Sequence, residues 1–387
     1  MTTKKNFSTV TLATSLLSLS VVSFAYADSS SQFSDLLNDH WKNANQEQVF
    51  FRKDPDAFRM NGELPSFSKA SRDRREKYNL SLLTQLKDID VNKLNNEEQV
   101  TYRLFKYERQ TEAKSYQQID HYYPLNYYSG FHSYFAGAPA NMSFLTKQDY
   151  DNYLISLADF PRYNKEHINN LSEAIDQGHI HYCESFKNYH KGISKHIVDN
   201  VNDSVFYQPI KDMPAKFSAK DRANYQQKTA KLITSTVIPE YKKFYDFFTK
   251  DYMSKCRDNV GISDLKGGKD YYQYLIEFYT TTDMSADEIH TLGLNEVARI
   301  RKEMQVIIDE LEFKGSFKDF IKHLRTDPQF YTDTPRDLIE KASYIARKMA
   351  AQLPKWFSVL PRQTFDIKPA PNGGAYYVAS DGSGTTS

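Results

Sequence analysis

The chain has 387 residues, 40% of them apolar and 26% charged, a balance typical of a globular protein and not of a disordered one. Its 50 basic and 49 acidic residues nearly cancel, so the composition excludes the strong positive charge of proteins that bind nucleic acid or anionic membranes. The unusual feature is 28 Tyr beside 25 Phe. Tyrosine has a large amphipathic ring, which suits a polar groove and equally suits partly hydrated contacts between helices.

The N-terminus has the three zones of a secretory signal peptide. Two lysines near the start precede an apolar stretch at 10–24, and Ala25-Tyr26-Ala27 supplies the small residues of a cleavage site. The stretch is shorter than the roughly 20 residues that span a bilayer, and no Cys follows it to carry a lipid. We therefore expect a cleaved signal peptide at 1–27. The mature part, 28–387, is then periplasmic or secreted and does not insert into a membrane.

Most of the remaining chain has the periodicity of amphipathic helices, with recognisable start signals. Capping boxes, in which the N-cap and the third helical residue exchange hydrogen bonds with the backbone, occur at Asn95-x-x-Glu98, Thr146-x-x-Asp149 and Ser285-x-x-Glu288. The apolar residues that follow them at helical spacing are Val100, Leu104 and Tyr107; Tyr150, Tyr153, Leu154, Leu157, Ile168, Leu171 and Ile175; and Ile289, Leu292, Val297, Ile300, Met304, Ile307 and Leu311.

Three further signals complete the helical pattern. Ser218 begins a long apolar stripe that Pro239 should kink or divide, since proline cannot donate the helical N–H. Gly178 is a predicted helix stop, and Thr334-Pro335 has the N-cap and first-turn residues of a last helix. We therefore predict a mainly α fold, a multi-helix array in which strands are a minor component.

The C-terminal residues break this helical pattern. Residues 374–380 have the composition of a short strand, and Asp381-Gly382 is a strong hairpin-turn dipeptide. Only 383–387 remain for the return strand. The sequence predicts a minor β-hairpin near the C-terminus, with a frayed tail as the alternative.

No segment carries a complete catalytic or cofactor motif. The most metal-like cluster is His179-x-His181-x-Cys183, but ligands two residues apart converge only on a strand, and this segment lies between helical stretches. We expect polar loop residues there and no metal ligand. Cys183 and Cys256, the only cysteines, form a possible disulfide in an oxidising compartment if their Cα atoms approach within about 7 Å. The sequence is compatible both with this disulfide and with two free thiols.

An aromatic run occupies residues 116–135, interrupted by Pro124 and Gly130. Its tyrosines, phenylalanines and histidines have the composition of a groove for an extended ligand. A loop packed over the helices through its rings is the alternative, and we favour the packed loop.

Several stretches together resemble one known family. They are 141–154 (NMSFLTKQDYDNYL) with Phe160-Pro161-Arg162-Tyr163; Tyr271-Tyr272 with Thr280-Thr281-Thr282; 285–301 (SADEIHTLGLNEVARIR); and Ala375-Tyr376-Tyr377 with Asp381-Gly382. They are similar to the exported bacterial proteins of the domain-of-unknown-function-885 family. The stretch at 285–301 is the most specific part of the resemblance.

The resemblance implies a helical, zinc-metallopeptidase-like protein with a cleft between two helical halves. In that family a strand hairpin precedes a helix with a His-Glu pair, followed by Pro-Gly-His-His. Two imidazoles and a carboxylate would hold zinc, and a Glu would take a proton from the metal-bound water. None of the ten His of this sequence is followed by Glu. We therefore assign no catalytic residue and no metal ligand, and we expect zinc only in a complete family member.

By the same resemblance, Ala375, Tyr376 and Tyr377 would lie near the metal and pair with a peptide substrate by strand addition. Our first hypothesis is the N-terminal portion of an exported zinc-metallopeptidase-like protein, cut short and inactive as written, with peptides as partners. The alternative is a complete, non-catalytic helical binding or scaffold protein of the periplasm, with the aromatic run as its groove.

Overall fold

A computed structural model of the protein describes residues 28–47, 62–360 and 365–369. The predicted signal peptide at 1–27 and the predicted hairpin at 374–387 lie outside these ranges. The chain divides into two compact units: unit 1 extends to Met284, and unit 2 begins at Ser285. Over the described ranges, β-pairing is limited to two isolated bridges, Leu125 with Gly130 and Tyr182 with Arg257. The prediction of a mainly helical fold is confirmed.

The helices of unit 1 within the described residues are Ser29–Glu47 (α1), Lys69–Lys87 (α2), Asn96–Ser115 (α3), Phe131–Gly137 (α4), Lys147–Gln177 (α5), His190–Ser194 (α6), Gln208–Lys211 (α7), Ala219–Leu232 (α8), Ile238–Asp246 (α9) and Gly268–Thr280 (α10). Those of unit 2 are Ala286–Glu310 (α11), Phe317–Thr326 (α12), Pro335–Ala350 (α13) and Leu353–Trp356 (α14). Short 3₁₀ turns connect several of them. None of the described helices is long and apolar enough to cross a bilayer.

The first three helices form a small apolar cluster of their own. The predicted capping box at Asn95 and Glu98 begins α3. The apolar residues that follow this capping box at helical spacing, Val100, Leu104 and Tyr107, are exposed, whereas Tyr102 and Phe105 are buried. The reason is that α2 packs on the side of α3 that carries these two rings, and the Tyr102 hydroxyl donates to the Leu86 carbonyl oxygen at 2.8 Å.

Helix α5 is the central helix of the main core. Its N-cap Thr146 forms the predicted capping box with Asp149, and Gly178 ends it in the left-handed conformation, at φ 77°. A left-handed residue without Cβ strain is the usual helix stop. Tyr153, Leu157 and Leu171 are fully buried as predicted, and they join a cluster rich in aromatic rings.

The long segment after Ser218 is divided near Pro239, as predicted. Helix α8 passes into a π-helical turn at Ile233–Val237 before α9 begins, and a second π-helical turn, Phe247–Tyr252, follows α9. Because proline offers no N–H, a wider turn before it relieves the missing hydrogen bond. The stripe from Ile233 to Tyr252 still faces α5.

Unit 2 begins with the capping box predicted at Ser285 and Glu288. Its helices are amphipathic, as their sequence predicts. Over the described part of unit 2, however, only Ile308 and Phe320 are buried apolar side chains. The predicted apolar face of α11 is therefore present but largely exposed.

Candidate ligand-binding cavity

Unit 1 contains a cavity of about 470 Å³, within the size range of small-ligand sites. It lies between α2, α5 and the aromatic run at 116–135. Its lining is Phe67, Arg72, Asp120, His121, Tyr123, Pro124, Leu125, Asn126, Phe131, Tyr134, Tyr163, His167 and Asn170. Most of these residues belong to the aromatic run, so part of that run packs inward and part of it faces open space.

Aromatic rings from α4 and α5 form the apolar wall. The His167 ring stacks on Phe131 with centroids 4.3 Å apart, and it lies 4.4 Å from the ring of Phe67. Burial lowers the pKa of His167 to about 3, so the imidazole is neutral at physiological pH. Neither of its ring nitrogens has a hydrogen-bond partner within the described residues. His167 therefore serves this wall as a flat ring packed between other rings.

Arg72 supplies the positive charge of the cavity. Its Nη1 donates to Asn170 Oδ1 at 3.0 Å and to the Phe67 carbonyl oxygen at 3.3 Å. Burial lowers its pKa and the negative charge of Glu173 opposes that shift, but a guanidinium remains protonated at neutral pH. Asn170 is itself fixed, because its Nδ2 donates to the same Phe67 carbonyl at 3.1 Å.

The acidic group of the cavity is Asp120. Burial raises the pKa of its carboxyl group, and the hydroxyl of Tyr271 on α10 donates to it. Nearby, the Tyr123 hydroxyl is buried without a partner in the described residues, and burial raises its pKa to about 12. The cavity thus presents charges of both signs in a lining that is otherwise mostly apolar.

The loop that carries Tyr123 to Asn126 is held in place by hydrogen bonds. The Tyr189 hydroxyl donates to the Ser129 carbonyl at 2.6 Å, and His181 Nε2 lies 3.0 Å from the Leu125 carbonyl oxygen. At Gly130 an added Cβ would lie 2.5 Å from the Tyr189 hydroxyl and 2.6 Å from Leu125 Cδ2, so both side chains would have to shift to admit a larger residue.

The segment predicted as the most metal-like cluster has structural contacts instead. Cys183 and Cys256 form a disulfide with a Cα separation of 5.1 Å. His181 bonds the Tyr252 hydroxyl, and His179 stacks on Tyr122 with centroids 5.2 Å apart. Within the ranges that the structure describes, no three His, Cys, Asp or Glu side chains are placed to share a metal ion. The residues present there do not fit a zinc site.

The remaining predicted contacts, Ala375, Tyr376 and Tyr377, lie outside the described residues and stay a prediction. Sequence reasoning did not find Arg72, which lies in the charged run Ser71-Arg72-Asp73-Arg74-Arg75. Nothing in that spacing separates an arginine that lines a cavity from one on the surface. The aromatic run was the only sequence signal for this site.

Comparisons with known proteins address the fold and the family. The family described as "Bacterial protein of unknown function (DUF885)" matches residues 51–381. A solved structure, titled "The crystal structure of the putative lipoprotein from Colwellia psychrerythraea", is similar to this chain with a TM-score of 0.68 and 16% identity. The similarity covers 87% of this chain and 61% of that one, and at this identity it shows the fold alone. A search of curated proteins found no match.

Proposed function

We propose, on the premise that this chain belongs to the bacterial DUF885 family of unknown function, that it is an exported helical protein that binds peptides through the cavity of unit 1. The observation that carries the proposal is the cavity itself: about 470 Å³, walled by the rings of Phe131, Tyr163 and His167, with a few polar groups. A concave apolar site with few polar groups is the usual form of a ligand pocket.

Export rests on the three-zone N-terminus at 1–27, and the disulfide between Cys183 and Cys256 suits an oxidising compartment. Peptides are proposed as the ligand class because the resemblance to metallopeptidase-like proteins implies them. We derive no hydrolytic step, since the described residues do not assemble zinc ligands. Zinc chemistry rests on the resemblance alone, and a non-catalytic binding protein is the function that the cavity supports best.

The ligand test compares short peptides that differ in one side chain. Acetyl-Ala-Phe and its amide should bind the purified protein about 10- to 100-fold tighter than acetyl-Ala-Ser and its amide, because the cavity buries an aromatic ring. Isothermal titration calorimetry measures the four affinities. Equal affinity for the Phe and Ser peptides, or binding of neither, would contradict the proposal.

A matched pair of tyrosine variants locates the binding. Tyr134 lines the cavity at its rim, whereas Tyr127 belongs to the same aromatic run but is 70% exposed and contacts the ring of Tyr128. Tyr134→Ala should weaken binding of acetyl-Ala-Phe-amide several-fold through lost ring contacts, and Tyr127→Ala should leave it unchanged. Equal losses in both variants would place the ligand elsewhere on the aromatic run.

A further inference from the structure

We infer that Arg72 makes one end of the cavity a carboxylate-binding site, so that its ligand carries a carboxylate beside an apolar or aromatic side chain. Two sources share this chemistry: the C-terminus of a peptide and a free amino acid. The inference rests on the proposed function, because it names the part of the ligand that the same cavity recognises.

The first argument is the incomplete pairing of Arg72. Both of its hydrogen bonds come from Nη1, and their acceptors are the neutral oxygens of Asn170 and Phe67. In the described part of the chain no carboxylate oxygen lies within 4 Å of its guanidinium, and Nε and Nη2 donate to nothing there. Glu173 acts on it only at longer range. Charged side chains are almost never fully buried without a partner, and Arg72, which is partly buried, has Nε and Nη2 available for a ligand.

The other partly buried arginines of the described part of unit 1 illustrate the contrast. Arg109 pairs with Glu112, and Arg162 pairs with Asp159 and with Glu166. Others use several nitrogens on backbone carbonyls, as Arg222 does with the oxygens of Met213, Pro214 and Phe217. Arg72 does neither, and it lines a cavity.

The second argument is the position of the charge against the rings. The guanidinium is a planar fork that matches the two oxygens of a carboxylate, and such charge-assisted pairs are stronger in a partly desolvated site. Phe131, Tyr163 and His167 line the same cavity and offer an apolar surface to the neighbouring side chain. Asp120 provides a negative group in the same lining, which suits the amino group of a free amino acid.

The deciding experiment uses the unaltered protein and two ligands that differ only in charge. Acetyl-phenylalanine, which has a free carboxylate, should bind roughly 10- to 100-fold tighter than acetyl-phenylalaninamide in calorimetric titrations, because only the acid forms the charge-assisted pair. Equal binding of acid and amide would overturn the inference and leave the proposed function standing. Binding of neither ligand would overturn the inference, and the proposed function is then decided by the acetyl-Ala-Phe titration alone.

Two further ligands separate the sources. Tighter binding of acetyl-Ala-Phe than of free phenylalanine assigns the site to peptide C-termini. The reverse order assigns it to the free amino acid, with Asp120 holding the ammonium group. Either order supports the carboxylate site, provided that the corresponding amides bind more weakly.

Variants then assign the carboxylate to Arg72. Arg72→Met should bring the ratio of acid to amide affinity close to one, and Arg72→Lys should retain part of it, since the charge remains but the fork is lost. Arg74→Met is the matched control: Arg74 lies on the same helix, pairs with Glu47 and does not line this cavity. A ratio unchanged by Arg72→Met, in a variant whose melting temperature is also unchanged, would overturn the assignment.

Discussion

Unit 1 and unit 2 are built from the same kind of amphipathic helix, yet they bury their apolar faces to different extents. In unit 1, Leu157, Leu171 and Tyr241 are inaccessible to solvent. In unit 2, Leu294 and Ile345 are each 60% exposed, and α13 has no buried residue. Helical periodicity therefore predicts which face is apolar, but burial requires a neighbour of matching shape. Contiguous exposed apolar faces of this kind commonly mark interaction surfaces.

The largest expected effect is a loss of folding stability at acid pH, because unit 1 contains buried imidazoles. Burial lowers the pKa of His132 and His167 to about 3 and that of His196 to about 4. Since the unfolded histidines bind protons near pH 6.5, unfolding becomes easier as the pH falls below that value. The loss continues towards pH 3 and reaches at most roughly 4 kcal/mol per pH unit for three groups.

Urea unfolding of the protein between pH 7.5 and 4.5, followed by near-ultraviolet circular dichroism, measures this loss. The described histidines of unit 2, His290 and His323, are not buried. A free energy of unfolding that stays constant between pH 7 and 5 would show that the core histidines are accessible to protons.

The next effect in size is the disulfide, which lies in unit 1. Cys183 and Cys256 are 73 residues apart, and closing a loop of that length restricts the unfolded chain by about 4 kcal/mol in the entropic model. The double substitution Cys183→Ser with Cys256→Ser should lower the melting temperature of unit 1. Calorimetry of both proteins measures it, and identical unit 1 transitions would show that the bridge contributes little.

The smallest expected effect comes from truncating one leucine in each unit, which tests the difference in burial between unit 1 and unit 2. Leu171→Ala should cost about 3 kcal/mol, because Leu171 is fully buried on α5 and its truncation leaves a cavity. Leu294→Ala, the same chemical change on the exposed face of α11, should change stability by less than about 0.5 kcal/mol. Chemical unfolding of the two variants provides the measurement. A large loss in Leu294→Ala would mean that the face of α11 is covered in solution.

Local signals in the sequence predicted the helices well. Thr146 and Ser285 form their capping boxes, Gly178 ends α5, and a π-helical turn precedes Pro239. These features depend on neighbours within four residues, so spacing alone reveals them.

Contacts between residues far apart in the chain could not be predicted from spacing in the same way. Helix α3 has apolar residues on more than one face, so its spacing did not identify Tyr102 and Phe105 as the buried ones. The cavity brings Phe67 and Arg72 together with the aromatic run, and only the run was visible in the sequence. The metallopeptidase-like activity rests on the resemblance alone.

The most direct test of the binding proposal is hydrogen–deuterium exchange with and without saturating acetyl-Ala-Phe. Amides of residues 67–72, 120–134 and 163–170 should exchange more slowly with the peptide present, because these segments line the cavity. Exchange in unit 2 should not change. Peptide-dependent protection confined to 285–360, or no protection anywhere, would contradict the proposal that unit 1 holds the ligand.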